Sequence, residues 1–474
     1  HRERLHRRAA EVLDLEGHLD HDQGVLGKQR AVQGGIGVEP LLGCDHHLGL
    51  RDRLLQLDVR EHPLRRAERR DVGHGAGRAP RVVVGRGLVA GITAARGKAA
   101  VGAIARRGHR RCMAHLIDVH AHGVRVHAAG LQVLGEGEIR IHKTSSTLSS
   151  LDYTYWSSPI ESAELAGTFQ GSDPRHIYSF SAPLFSDEDG DGKDDNGEAW
   201  VLEAGKTIPG KGYAILAPET LPTDNRQRVV FKGKPNNGHI EIPVHLQGTQ
   251  NSDDDWNLIG NPYPCTLDAE ALITDPFNAG LLSGTLYFWT HNTPLQFDEI
   301  TGQNEYSGSD YAIYTVGMGG VQAGSGGPAP NGNIASGQGF FTEALTRGTL
   351  RFTNEMRRVG LPENFFKPSK TKKVQDEKKV WLNLSSKEGA FSQVLIGFKE
   401  GATPGFDTYF DGKRLSANTH VELYSKLGSR NLAIRGEPPL SGEEKIPLGV
   451  EVKSDQIDSL RIEIDHLTPS MQTH

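Results

Sequence analysis

The chain changes composition abruptly near residue 144, and this break limits the possible folds more than any single motif. Residues 1–143 contain no Phe, Trp, Tyr, Ser or Asn and hold 14 of the 21 histidines. They carry 25 Lys and Arg against 16 Asp and Glu, a balance of +9, whereas the remainder carries 28 against 43, or −15. A packed core draws much of its buried area from large aromatic side chains. The first segment is therefore expected to lack a stable fold, as a mistranslated stretch or a disordered basic Arg/His/Gly-rich arm. The rest is expected to be the folded protein.

Within residues 1–143, "EHPLRRAERRD" has the charge of a nucleic-acid footprint but no aromatic for stacking, so no nucleic-acid partner is expected. Gly85, Gly87 and Ala90 imitate a dinucleotide fingerprint without the strand–turn–helix frame that gives it meaning. His120, His122 and His127 stand near Asp118, but histidine is so common here that chance spacing accounts for them. Cys44, Cys112 and Cys265 are too far apart for a metal knuckle or a disulfide framework. No run of eighteen apolar residues occurs, so no membrane-spanning helix is expected. The start at His1 points to a fragment or a misplaced start.

After residue 144 the pattern becomes all-β, and β-sandwich-like domains are expected. Ile240, Ile242, Val244 and Leu246 alternate with Glu241, Pro243 and His245, the period of a half-buried strand. With "PNNG" before it and "RQRVVFKG" before that, residues 226–246 are predicted to form a hairpin, and Pro243 marks an edge. "SLRIEID" at 459–465 repeats the alternation, with Leu460, Ile462 and Ile464 inward. An internal duplication is also visible. Trp156, "GKGYAIL" and "RVVFKG" are echoed by Trp256, "GQGFFTE" and "LRFTNE", with 54 and 81 residues from Trp to the first Gly. The expected organisation is a duplicated β domain over 144–366, a charged linker over 367–379, a second β domain over 380–467, and a tail over 468–474.

The series "YTYWSSPI", "PGKGYAILAP", "WNLIGNPYP", "LYFWTHNTP", "SGQGFFTEA" and "FTNEMR…NFF" resembles the C-terminal region of large secreted proteins of the Bacteroidota. "FSQVLIGFKEGATPGFDTYFDGKRL…LYSKLGSRNLAIRG…IPLGV" is similar to the segment that precedes their type IX secretion sorting domain. The resemblance spans about 151–467. It implies an exported protein, extracellular or on the outer cell surface, with structural or adhesive roles. Its partners would be the type IX machinery, through a sorting domain this chain lacks, and polysaccharide or other cell-surface components.

Residues 187–198, "DEDGDGKDDNGE", match a calcium-loop template throughout. Asp187, Asp189 and Asp191 take positions 1, 3 and 5, and Gly192 takes the sharp turn at 6. Lys193 offers its backbone carbonyl, and Asp195 and Glu198 complete the set at 9 and 12. Ca²⁺ needs six to eight hard oxygen ligands, and this spacing delivers them from one turn. Asp194 at position 8 and strand-like flanks argue against a helix–loop–helix, so a weak, structural Ca²⁺ site on a hairpin tip is expected. The bland alternative is a solvated acidic turn.

No GxSxG or HExxH motif and no Cys/His arrangement is present. His291 and Cys265 are expected to be structural. Tyr287, Phe288 and Trp289 cannot form one sugar platform, because neighbours on a strand face opposite ways. The sequence therefore points to a non-enzymatic exported surface protein. The alternative is the accessory, carbohydrate-binding region of a secreted polysaccharide-degrading enzyme whose catalytic domain lies upstream.

Overall fold

The computed structural model describes residues 138–186, 198–246, 255–293, 308–358, 377–415, 420–441, 443–454 and 459–472. Shorter pieces at 36–40, 52–60, 117–119, 125–126, 133–134, 296–298, 303–306, 418 and 457 accompany them. Strands dominate, with three helices of four or five residues among the described residues. The fold is all-β. Of residues 1–137 five short strands are described, and two of these, Asp52–Arg60 and Ile117–Val119, pair with strands from later in the chain.

One strand order occurs twice. In the first unit a four-stranded antiparallel sheet runs Tyr153–Trp156, Tyr213–Leu216, Ile177–Phe180, Trp200–Leu202. In the second the order is Trp256–Gly260, Gly339–Glu343, Thr285–Trp289, Tyr311–Thr315, with Gly319–Val321 added at the edge. Each unit has a further antiparallel pair, Arg228–Gly233 with Ile139–Thr144 and Gly348–Phe352 with Ile240–Val244. Ile139 and Ile141 are buried in the core of the first unit beside Trp156, Phe169 and Phe231. The folded region thus begins before the compositional break, because a strand with two inward isoleucines needs no aromatic of its own.

These pairings correct two expectations. Residues 226–246 do not form a hairpin: their two strands belong to different units. The "PNNG" turn is a crossover, pinned where Asn236 Nδ2 donates to the carbonyls of Ser158 at 2.9 Å and Pro262 at 2.8 Å. Pro243 does lie on an edge, in a two-stranded sheet. The second correction concerns Trp156 and Trp256, which are not equivalent. Trp156 faces Tyr213 and Ile259 faces Phe340, the aromatics that end the two Gly-x-Gly motifs. Trp156 therefore corresponds to Ile259 and Tyr153 to Trp256, so "WSSP" matches "IGNP".

The two units meet about an approximate two-fold. Trp156 bridges to Gln338 and Ile259 to Lys211, each reaching the middle residue of the other unit's Gly-x-Gly. The Ser157 N–H donates to the Gly337 carbonyl at 2.7 Å, and its counterpart Gly260 donates to Gly210 at 3.0 Å. Glycine is required where these backbones approach. A Cβ on Gly260 would lie 2.5 Å from Ser157 Cβ and 2.8 Å from the Gln338 carbonyl oxygen.

The C-terminal part forms a larger sheet in the order Asp52–Arg60, Glu443–Val452, Val421–Leu427, Arg430–Glu437, Phe391–Phe398, Lys378–Ser386, Leu460–Leu467, with Ile36–Pro40 beyond Asp52–Arg60. All neighbours are antiparallel except Phe391–Phe398 and Arg430–Glu437, which are parallel. Leu382, Leu384, Val394, Ile396 and Phe398 point into its core as their alternation requires. Leu460 and Ile462 pack half-buried against that core, but Ile464 is 42% exposed, because its strand ends the sheet and nothing described lies beyond it.

The opposite face of this sheet lies on the second unit. Leu395, Ala433 and Ile434 share a buried cluster with Tyr287, Ile313, Met318 and Val321. Hydrogen bonds reinforce the junction: Gly284 N–H to the Thr408 carbonyl at 3.0 Å, Trp381 Nε1 to Gly320 at 3.0 Å, and Lys399 Nζ to Gly317 at 2.8 Å. Lys413 and Glu343 add an ion pair at 3.0 Å that is largely withdrawn from water.

Candidate functional site

Two features stand out where the first unit meets the second: a surface of aromatic rings and a buried polar cluster behind it. The rings come from equivalent strands of the two sheets. Tyr153, Tyr178, Phe180 and Trp200 of the first unit are half-buried, as are Trp289 and Tyr311 of the second. Tyr155 lies under them and stacks on Trp289 with centroids 6.1 Å apart, while Phe180 meets Phe341 edge-on at 5.1 Å. Their polar atoms are engaged. Trp289 Nε1 donates to the Tyr153 carbonyl at 3.0 Å, the hydroxyls of Tyr155 and Tyr311 are 2.8 Å apart, and Tyr306 donates to Leu151 at 2.6 Å. Burial holds the phenols of Tyr153, Tyr306 and Tyr311 protonated far above neutral pH.

Tyr287, Phe288 and Trp289 divide between faces as a strand requires. Phe288 packs on Phe340 in the second unit's own core, Tyr287 enters the junction with the C-terminal sheet, and Trp289 joins the aromatic surface. The platform is thus built from alternate residues of several strands, which the reading of one strand did not reveal. The available signal was the spacing of Tyr153/Tyr155 and Tyr178/Phe180, pairs two residues apart on two strands of one sheet.

The polar cluster is made by turns beside these strands. His291 is buried with φ at +42°, and its Nε2 lies 2.5 Å from the hydroxyl of Ser146. Burial pushes its pKa down to about 4, against the pull of the Tyr153 carbonyl, so the ring is neutral at pH 7. Asp310 closes the turn after His291 by accepting from Thr293 N–H at 3.1 Å and from the Thr293 hydroxyl at 2.8 Å. Burial raises its pKa despite these bonds. Asp152 accepts from Ser149 N–H at 2.6 Å, and burial, helped by the charge of Asp310, raises it to about 6. The His291–Ser146 contact ties the two units together, and the two aspartates each brace a turn on their own side of the boundary. None was singled out from sequence except His291, whose partner Ser146 lies 145 residues away and leaves no local pattern.

Asp187, Asp189, Asp191, Lys193 and Asp195 lie outside the described residues. Glu198, the last member of the calcium set, is exposed. The described flanks, Ile177–Phe180 and Trp200–Leu202, are antiparallel strands with Phe180 opposite Trp200, so the acidic stretch connects a β-hairpin at the margin of the aromatic surface. Among the described residues no group of three or more His, Cys, Asp or Glu is placed to hold a metal ion. Cys265 is buried with Arg357 Nε 3.1 Å from its sulfur, as a small core residue. Among the described residues no helix is long and apolar enough to cross a membrane.

No curated protein matches the sequence, and no solved structure does. A family model described as a domain of unknown function (DUF8693) matches residues 123–473. That span takes in both β units and the C-terminal sheet from Lys378 onward, and the chain belongs to this family.

Proposed function

We propose that the chain is a structural, non-enzymatic segment of an exported surface protein, a set of β modules from a stalk or adhesion-associated region. The observation that carries this reading is the continuous interior formed by Tyr287, Met318, Leu395 and Ile434, which welds the duplicated unit to the C-terminal sheet. Such a body transmits position and force without a hinge, as a spacer needs to. Three buried groups of the kind catalysis recruits are spent on the fold: His291 on Ser146, Asp310 on Thr293, and Asp411 on the N–H groups of Asp407 and Gly436. Export through the type IX route rests on the resemblance of the motif series over 151–467. The 187–198 loop would add a weak structural Ca²⁺ site at a hairpin tip. The test is location: in cells making the complete protein, these modules are expected outside the cytoplasm and accessible to added protease, and a purely cytosolic location sinks the reading.

The aromatic surface favours a second reading, a carbohydrate-binding region accessory to a polysaccharide-degrading enzyme. Half-buried rings such as Tyr178, Phe180 and Trp200 offer sugar rings apolar faces to stack on. Glycan-array binding that disappears in Trp200→Ala, with melting unchanged, is the result this reading requires.

A further inference from the structure

The C-terminal sheet ends at Leu460–Leu467, a strand of eight residues. Lys378–Ser386 pairs with one side of it, and among the described residues no strand pairs with the other. Such an edge presents a row of free backbone donors and acceptors, a ready template for another strand. Two observations go beyond the bare edge. Along its inner face Leu460 and Ile462 are only half covered and Ile464 is 42% exposed, so the core of the sandwich is left open at this border. On the outer face Arg461 and Glu463 form an ion pair at 2.5 Å, with side chains 76% and 43% exposed.

We infer that this edge pairs antiparallel with the same edge of a second copy of the chain, centred on Ile462. The choice of occupant follows from the register. With Ile462 opposite itself, Leu460 meets Ile464 and Arg461 meets Glu463, and each pair occurs twice about the two-fold. Over these five positions every apolar side chain then lies against an apolar one and every charge against its opposite. A shift of centre to Glu463 places two like carboxylates together. A register half a step away sets apolar residues against charged ones, with side chains on the wrong faces. The edge is thus complementary to itself in one register, and an isologous pair uses up this edge in both copies. With Ile462 at the centre, five residues per copy, Leu460 to Ile464, lie opposite one another, at the small end of specific interfaces, so the dimer is weak and reversible.

Sedimentation equilibrium on the full 474-residue chain, from about 1 to 100 µM, tests this. The wild type is expected to dimerise with concentration. Arg461→Glu and Glu463→Arg are each expected to weaken association by about tenfold or more, since each turns two attractive cross-strand pairs repulsive. The double exchange Arg461→Glu/Glu463→Arg restores opposite charges and is expected to return the wild-type constant. Thermal melts at concentrations too low for the dimer should agree closely for all four proteins, because both side chains are exposed and a surface ion pair adds little. A chain that stays monomeric throughout, a dimer insensitive to the single reversals, or a double exchange that fails to rescue overturns the inference.

Discussion

His291 Nε2 and the Ser146 hydroxyl, 2.5 Å apart, join a loop of the second β unit to the segment that enters the first. The contact is made by a neutral imidazole under cover, and its pKa near 4 fixes how the fold responds to acid. In the unfolded chain this histidine titrates near 6.5, so the unfolded state takes up a proton first as pH falls. Stability from His291 is full above that value and is lost progressively between about 6.5 and 4, by about 3 kcal/mol.

Asp152 works in the opposite sense over nearly the same window. Its pKa is raised to about 6, so the folded state binds the proton first and gains stability as pH falls from about 6 towards the ordinary carboxylate range. Asp411, also raised to about 6 by burial, adds to this gain. Each carboxyl gains about as much as the histidine loses, so on balance the wild type is expected to gain stability as pH falls from 6 to 4. Asp152→Asn should flatten that rise, and His291→Gln should steepen it. Urea midpoints at pH 7, 5.5 and 4 decide it, and parallel curves for all three proteins reject the assignment.

The glycines at the two-fold give a separate prediction. Gly260→Ala drives a methyl into Ser157 and the Gln338 carbonyl, a backbone group that cannot turn aside, and should cost about 1–3 kcal/mol. Gly167, in the short helix Leu165–Thr168, has its nearest neighbour at 3.7 Å, so Gly167→Ala should be neutral or gain up to about 1 kcal/mol. Paired denaturant melts with unchanged m-values are the check.

These glycines also show how much of the fold the sequence discloses. The all-β class and the alternation of Leu382, Leu384, Val394 and Ile396 follow from a period of two, a local property that survives any tertiary arrangement. Partnership does not. "RVVFKG" and "IEIPV" are seven residues apart and look like a hairpin, yet each pairs with a strand about 90 to 110 residues away in sequence. The crossover depends on Asn236 reaching two carbonyls from different units, which no local pattern encodes. Tryptophan drew the repeat alignment towards Trp156 and Trp256, whereas the register is set by what must lie beside Gly-x-Gly. The aromatic surface was hidden for the same reason, since its rings gather from strands that become neighbours only after the sheets form.

The junction between the second unit and the C-terminal sheet should make both unfold together. A Cβ on Gly284 would lie 2.6 Å from the Thr408 carbonyl oxygen and 2.8 Å from Tyr409 Cα, so any side chain there pries the surfaces apart. Calorimetry is expected to give one transition for residues 138–474 in the wild type and two in Gly284→Val. Two transitions already present in the wild type reject a shared core as the source of cooperativity.

Calcium at 187–198 is tested by melting with Ca²⁺ and with EDTA. The pairing of Ile177–Phe180 with Trp200–Leu202 brackets the stretch, so a bound ion should act locally. With a dissociation constant on the order of 10⁻³ M, about 10 mM Ca²⁺ stabilises by about 1.4 kcal/mol. Asp189→Asn/Asp191→Asn removes two charged ligands and is expected to abolish the shift while leaving the EDTA melt unchanged or slightly raised, because the loop's own repulsion is relieved. Equal melts with and without Ca²⁺ assign the stretch to a solvated acidic tip. A shift that persists in the double variant places the ion elsewhere on the chain.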